Sequence, residues 1–112
     1  MAIEIRAKFE ELRSLGFASI GAAYMGIGTA LEHPARVAII HNFTDKNLMF
    51  SMDGIKDELI FKTNSSLVLD ISTNKTIEAG WFFEKGTRLY VKEIDTPTEG
   101  SVYFSVLYGE QD

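Results

Sequence analysis

The chain has 112 residues, room for one domain around one modest hydrophobic core. Hydrophobic residues make up 46% and charged residues 24%, ordinary globular usage that excludes a disordered, collagen-like or low-complexity chain. Sixteen acidic against eleven basic residues leave a net charge of −5, which disfavours direct contact with nucleic acid or an anionic membrane, and no apolar run approaches the ~20 residues of a membrane-spanning helix.

The opening Met1-Ala2-Ile3-Glu4-Ile5-Arg6 has neither a basic n-region nor an apolar h-region, so no secretory signal is expected there. Ile5, Phe9 and Leu12 recur at helical intervals with Glu10, Glu11 and Arg13 between them, which fits a short amphipathic helix. The alternation in residues 2–6 and the lack of an N-cap fit an extended arm equally well. Residues 1–15 are therefore expected as a short helix or arm ahead of a domain over residues 16–112. Gly16, Gly21, Gly26 and Gly28 make a helix interior costly, so the stretch to Leu31 is expected as an irregular or bulged strand.

After His33-Pro34 the sequence becomes a series of short β-patterned runs. Arg36 to Phe43 comes first. Leu48, Phe50 and Met52 then alternate with Met49, Ser51 and Asp53, and Asp53-Gly54 signals a tight hairpin into Glu58–Phe61. Leu67, Leu69 and Ile71 share one parity, Leu89 and Val91 another, and Val102, Phe104, Val106 and Tyr108 give the clearest face. Turn residues separate these runs, Gly86 taking a conformation that other residues avoid. One helical turn is expected between Asn74 and Phe83, with Trp81, Phe82 and Phe83 in the core. The pattern predicts a single antiparallel, jelly-roll-like β-sandwich of about seven or eight strands. Its expected core includes Val37, Ile39, Phe50, Leu59, Phe61, Leu69, Leu89, Val91, Phe104 and Val106.

The chemistry-bearing residues do not assemble into a catalytic or metal pattern. His33 and His41 lack carboxylates at metal-triad spacing and read as structural or surface groups. Asp45, Asp53, Asp57 and Asp70 lack the alternating oxygen ligands of a calcium loop, and Asp53-Gly54 reads as a turn. The glycine-rich stretch Gly21–Gly28 precedes hairpins rather than a parallel sheet, so it does not suit a dinucleotide. No serine sits in a nucleophile elbow, and there is no cysteine for thiolate or disulfide chemistry. The expectation is a non-enzymatic protein with no cofactor and no metal. Asn42-Phe43-Thr44, Asn64-Ser65-Ser66 and Asn74-Lys75-Thr76 match the glycosylation triplet, but Asn at strand ends ordinarily bonds the turn backbone.

Taken together, His33-Pro34-Ala35-Arg36, Asn42-Phe43-Thr44-Asp45, Ser51-Met52-Asp53-Gly54 with Asp57, and Ser65-Ser66-Leu67-Val68-Leu69-Asp70 form a recognisable series. Asn74-Lys75, Lys85-Gly86-Thr87, Tyr90-Val91-Lys92 and the run from Thr96 to Tyr103 continue it. The series resembles a family of small tailed-bacteriophage virion proteins encoded near head and tail morphogenesis genes, over roughly Gly16 to Gly109, with His33 where the pattern has Asn. The resemblance implies a β-sandwich building block without catalysis, made in the host cytoplasm and carried in the virion. A head–tail connector, neck or tail ring component in several copies is the first expectation. A capsid decoration protein is the alternative, and a carbohydrate-binding adsorption module resting on Trp81 is a third. The partners implied are other virion proteins and copies of the chain itself, with Ile3, Ile5, Phe9, Leu12 and Leu15 as candidate interface residues and Asp53, Gly54 and Gly86 as structural turns.

Overall fold

A computed structural model describes residues 5–70 and 83–111, with side chains from Ala7 to Asp70 and from Phe83 to Gly109. The protein is all-β: two antiparallel sheets pack face to face as a sandwich. Nine strands lie among the described residues: β1 (Ile5–Phe9), β2 (Arg13–Gly16), β3 (Met25–Gly26), β4 (Val37–Asn42), β5 (Leu48–Ser51), β6 (Leu59–Phe61), β7 (Ser65–Asp70), β8 (Tyr90–Glu93) and β9 (Ser101–Gln111). The first sheet has the order β1-β9-β4-β7, and the second β3-β8-β5-β6.

The first sheet is organised by β9. One edge pairs with β4, and the other takes β2 opposite Ser101–Phe104 and β1 opposite Leu107–Gln111. The segment 1–15, expected as a helix or an arm ahead of the sandwich, supplies β1 and most of β2 to the first sheet where it is described, joined by a link at residues 10–12. The helical spacing of Ile5, Phe9 and Leu12 is no helix: Ile5 and Phe9 are the two ends of β1, and Leu12 lies in the link at residues 10–12 that leads into β2.

Alternation sorts the side chains of β9 cleanly. Val102, Phe104 and Val106 point into the sandwich, while Tyr103, Ser105 and Leu107 face out. Against them pack Leu48 and Phe50 of β5, Phe61 of β6, and Leu89 and Val91 on and beside β8. Phe50 and Phe104 are essentially sealed from water, each worth on the order of 2–3 kcal/mol of burial. Two expected core residues face the other way. On β4 the inward side chains are Ala38, Ile40 and Asn42, and Val37 and Ile39 lie half-buried on the outer face. Leu59 and Leu69 are half-buried against the core.

The glycine-rich stretch, expected as an irregular or bulged strand, is mostly turn and loop and holds only the two-residue strand β3. After a 3₁₀ turn at Phe17–Ser19 it runs beside residues 83–93, with the Ile27 N–H donating to Leu89 and the Leu31 N–H to Thr87. Ile20, Ile27 and Leu31 from this stretch, with Ala35 after it, fill one side of the core. Asp53-Gly54 does not make a two-residue hairpin. The β5–β6 register places Phe50 opposite Leu59, leaving a wider loop in which Gly54 adopts φ +74° above the Tyr90 ring. Gly86 has φ +94° in the turn that returns the Thr87 N–H to the Glu84 carbonyl. The helical turn expected at 74–83 and the side chains of Trp81 and Phe82 lie outside the described residues; Phe83 bridges to Ala35.

Candidate functional site

The link between β1 and β2 carries two charged side chains inward. Glu10 and Arg13 lie 2.8 Å apart, their side chains 4% and 6% exposed. Arg13 spends its guanidinium on carbonyls: Nε donates to Thr29 at 2.7 Å, Nη1 to Glu11 at 3.1 Å and Nη2 to Ala30 at 2.9 Å. Glu10 accepts the N–H groups of Glu32 and His33 and meets His33 Nδ1 at 2.9 Å. Burial opposes ionisation of Glu10, but the Glu32 N–H, the His33 ring, Arg13 and the His33 N–H outweigh it and hold the carboxyl below its usual range. Both groups are thereby committed to clamping residues 28–33 onto the first two strands, which leaves the carboxylate poorly suited to carrying protons.

Above this clamp opens a cleft of about 430 Å³. His33 stacks on Tyr108 at its side, ring centroids 3.8 Å apart and planes 5° from parallel. Phe9 and Leu12 form an apolar rim, 62% and 55% exposed. Glu11 and Glu32 line the same opening, and neither makes an ion pair among the described residues. The cleft therefore offers apolar contact with two free negative charges, a surface suited to binding a side chain. Of the interface residues expected from sequence, Phe9 and Leu12 meet here. Leu15 turns inward and packs on the core, and the side chains of Ile3 and Ile5 lie outside the described residues.

Other polar groups fix loops. Asp53 Oδ1 accepts the N–H groups of Ile55 at 2.8 Å and Lys56 at 3.0 Å, and Ser51 Oγ at 2.7 Å. The Lys56 and Ile55 N–H groups, with Ser51, hold its carboxyl down at about 2. Asp57 accepts from Tyr24 Oη at 2.6 Å and pairs with Lys92 Nζ at 2.8 Å; those two bonds, Lys92 first, lower its pKa. Burial and then the bond to Asp57 raise that of Tyr24. Asp45 accepts the Thr98 hydroxyl and its N–H, which lower its pKa to about 2 and tie two loops at one end of the sandwich. Asn42 is fully buried, donating to the Lys46, Phe61 and Lys62 carbonyls and accepting from Thr44, so its side chain holds turns as expected.

His41 Nδ1 lies 2.5 Å from Ser66 Oγ on the exposed face of the first sheet, where the ring stacks on Phe43. No carboxylate is recorded against that ring among the described residues, so the two form a cross-strand surface pair. No cluster of three or more His, Asp or Glu residues of metal-binding geometry occurs among the described residues. Likewise, no helix among them is long and apolar enough to cross a membrane. The clamp was not foreseen from sequence: an acid and a base three apart inside an apparent helix look like a solvated pair, and the carbonyls of Thr29 and Ala30 leave no signature. Comparison of the chain with protein families, with curated proteins and with solved structures found no match.

Proposed function

We propose that this chain is a non-enzymatic building block of a tailed-bacteriophage virion, standing in the head–tail region as a connector, neck or tail ring component in several copies. The motif series between residues 33 and 103 suggests the family. The placement of Phe9 and Leu12 carries the binding role. These two large apolar side chains stand in water at the mouth of a cleft, at the end of β1 and in the link to β2, which the buried Glu10–Arg13 pair holds in place. Apolar groups presented by a rigid frame are a surface for another protein, because docking covers them at little cost in conformational order. Other virion proteins and further copies of the chain are the partners this reading names.

The test is a cryo-electron microscopy map of the particle encoded with this chain. Copies arranged around the axis of the head–tail junction are expected. Copies spread over the capsid lattice would replace this reading with the decoration protein, and absence of the chain from purified particles would overturn both.

A further inference from the structure

The cleft at the link between β1 and β2 is uneven in charge. Its floor is balanced, because Glu10 and Arg13 pair there and Arg13 places its other donors on the Glu11, Thr29 and Ala30 carbonyls. At the opening Glu11 and Glu32 are both exposed, and neither makes an ion pair among the described residues. The lining thus holds three acids, Glu10, Glu11 and Glu32, against the single base Arg13, an excess of two negative charges when His33 is neutral. Beside these acids lie the exposed apolar side chains of Phe9 and Leu12 and the stacked rings of His33 and Tyr108. Glu10 holds the Glu32 and His33 N–H groups from below, so the walls are fixed before anything docks and little order remains to be lost.

We propose that this cleft takes an arginine side chain of a different protein, its guanidinium against Glu11 and Glu32 and its methylene stem, with an apolar neighbour, on Phe9 and Leu12. This deepens the docking role given above to Phe9 and Leu12 and rests on it. Charge complementarity selects the occupant. Two unneutralised acids beside apolar surface call for a group that is cationic at its tip and apolar along its length. Arginine combines the two, and its planar fork matches a carboxylate and sheds water more readily than an ammonium does. The volume of about 430 Å³ lies within the roughly 300–1,000 Å³ of pockets that enclose small ligands, enough for a side chain rather than a whole strand. The same charge disfavours a further copy as the occupant, since a chain of net charge −5 brings mostly acid to an acidic opening.

The test is NMR titration of the isotope-labelled full chain with acetyl-arginyl-leucine amide, and with its citrulline analogue, which keeps the shape of arginine and lacks its charge. Saturating shifts are expected at the amides of residues 9–14 and 28–33, and the citrulline peptide should bind about tenfold more weakly or worse. Added salt should weaken the arginine peptide and leave the citrulline peptide unmoved. Glu11→Gln with Glu32→Gln should weaken the arginine peptide by about the same tenfold and leave the citrulline peptide unchanged, whereas Leu12→Ser should weaken both. These positions are exposed, so the rest of the spectrum should match that of the parent chain and report that each variant is folded. Shifts that do not saturate, that map away from the cleft, that are equal for the two peptides or that ignore Glu11→Gln with Glu32→Gln overturn the proposal. The particle map decides the virion reading separately: a chain seen at the head–tail junction with a cleft indifferent to arginine loses this inference alone, and a chain absent from particles with an arginine-selective cleft loses only the virion reading.

Discussion

Gly100 lies against the backbone of Phe43 so closely that a Cβ on it would run into the Phe43 carbonyl and the Thr44 Cα, and its φ is +90°. The approach brings the start of β9 beside the end of β4, where the Phe43 N–H donates to the Ser101 carbonyl at 3.0 Å. Gly86 has nearly the same φ, +94°, but nothing within reach of a Cβ. The pair separates two costs. Gly86→Ala carries conformational strain alone, about 1–2 kcal/mol, whereas Gly100→Ala adds a backbone collision and is expected to lose about 2–4 kcal/mol. Urea denaturation of both variants checks this, and equal losses would show that the approach at Phe43 relaxes freely.

The buried Glu10–Arg13 pair predicts non-additive energetics. Glu10→Ala leaves an uncompensated guanidinium in a closed site and is expected to cost about 3–5 kcal/mol, while exchanging both residues for apolar ones of similar size costs markedly less than the two single changes together. A double-mutant cycle by chemical denaturation measures the difference. Additive losses would mean that each side chain is held by the backbone carbonyls and N–H groups rather than by the other.

Acid stability follows from the loop aspartates. Asp45 and Asp53 have folded pKa values of about 2 against an ordinary 3.8, so each favours the folded state fully above the ordinary value, and that contribution is lost as the pH falls through the folded one. Glu10, also lowered, acts in the same direction. The melting temperature should therefore fall between about pH 4 and pH 2. The Asp53→Asn variant should start lower at neutral pH and show a shallower fall. An identical pH slope in that variant would remove Asp53 from the account.

The N-terminal strands predict a contrast between deletion and surface change. Removing residues 1–15 takes away β1, most of β2 and both buried charges, so the product is expected to be insoluble or unfolded. Phe9→Ser with Leu12→Ser alters only exposed positions and should leave stability within about 0.5 kcal/mol of the parent. A soluble, cooperatively folded deletion would show that the remaining seven strands are sufficient among those described.

Where polar residues break the apolar pattern, the strands could be read directly from sequence. In β9 Ser101, Tyr103 and Ser105 mark the outer face, so Val102, Phe104 and Val106 declare themselves. In β4 the run Val37-Ala38-Ile39-Ile40 is apolar on both parities and carries no such mark, and the polar residue that follows, Asn42, is turned inward because its amide satisfies four backbone groups there. That inverts the usual rule and puts Val37 and Ile39 outside. The cleft was half legible. Phe9 and Leu12 stood out as apolar residues without an evident core, but the floor depends on residues 29–33 arriving beside Arg13, a pairing set by tertiary structure and not by spacing.

The partnership of β1 and β2 with β9 also sets the tempo at which the molecule forms. Ile5 lies opposite Gln111 and Arg13 opposite Phe104, so most of the chain must be looped out before either contact exists. Closing such loops costs entropy in advance of any reward, and β-sandwiches dominated by these contacts fold in about milliseconds to seconds rather than microseconds. The β5–β6 pairing closes a far shorter loop and is free to form early. Until the first sheet closes, the long edge of β9 stands open, and it is in that interval that one copy's β9 is most exposed to capture by another copy's strands.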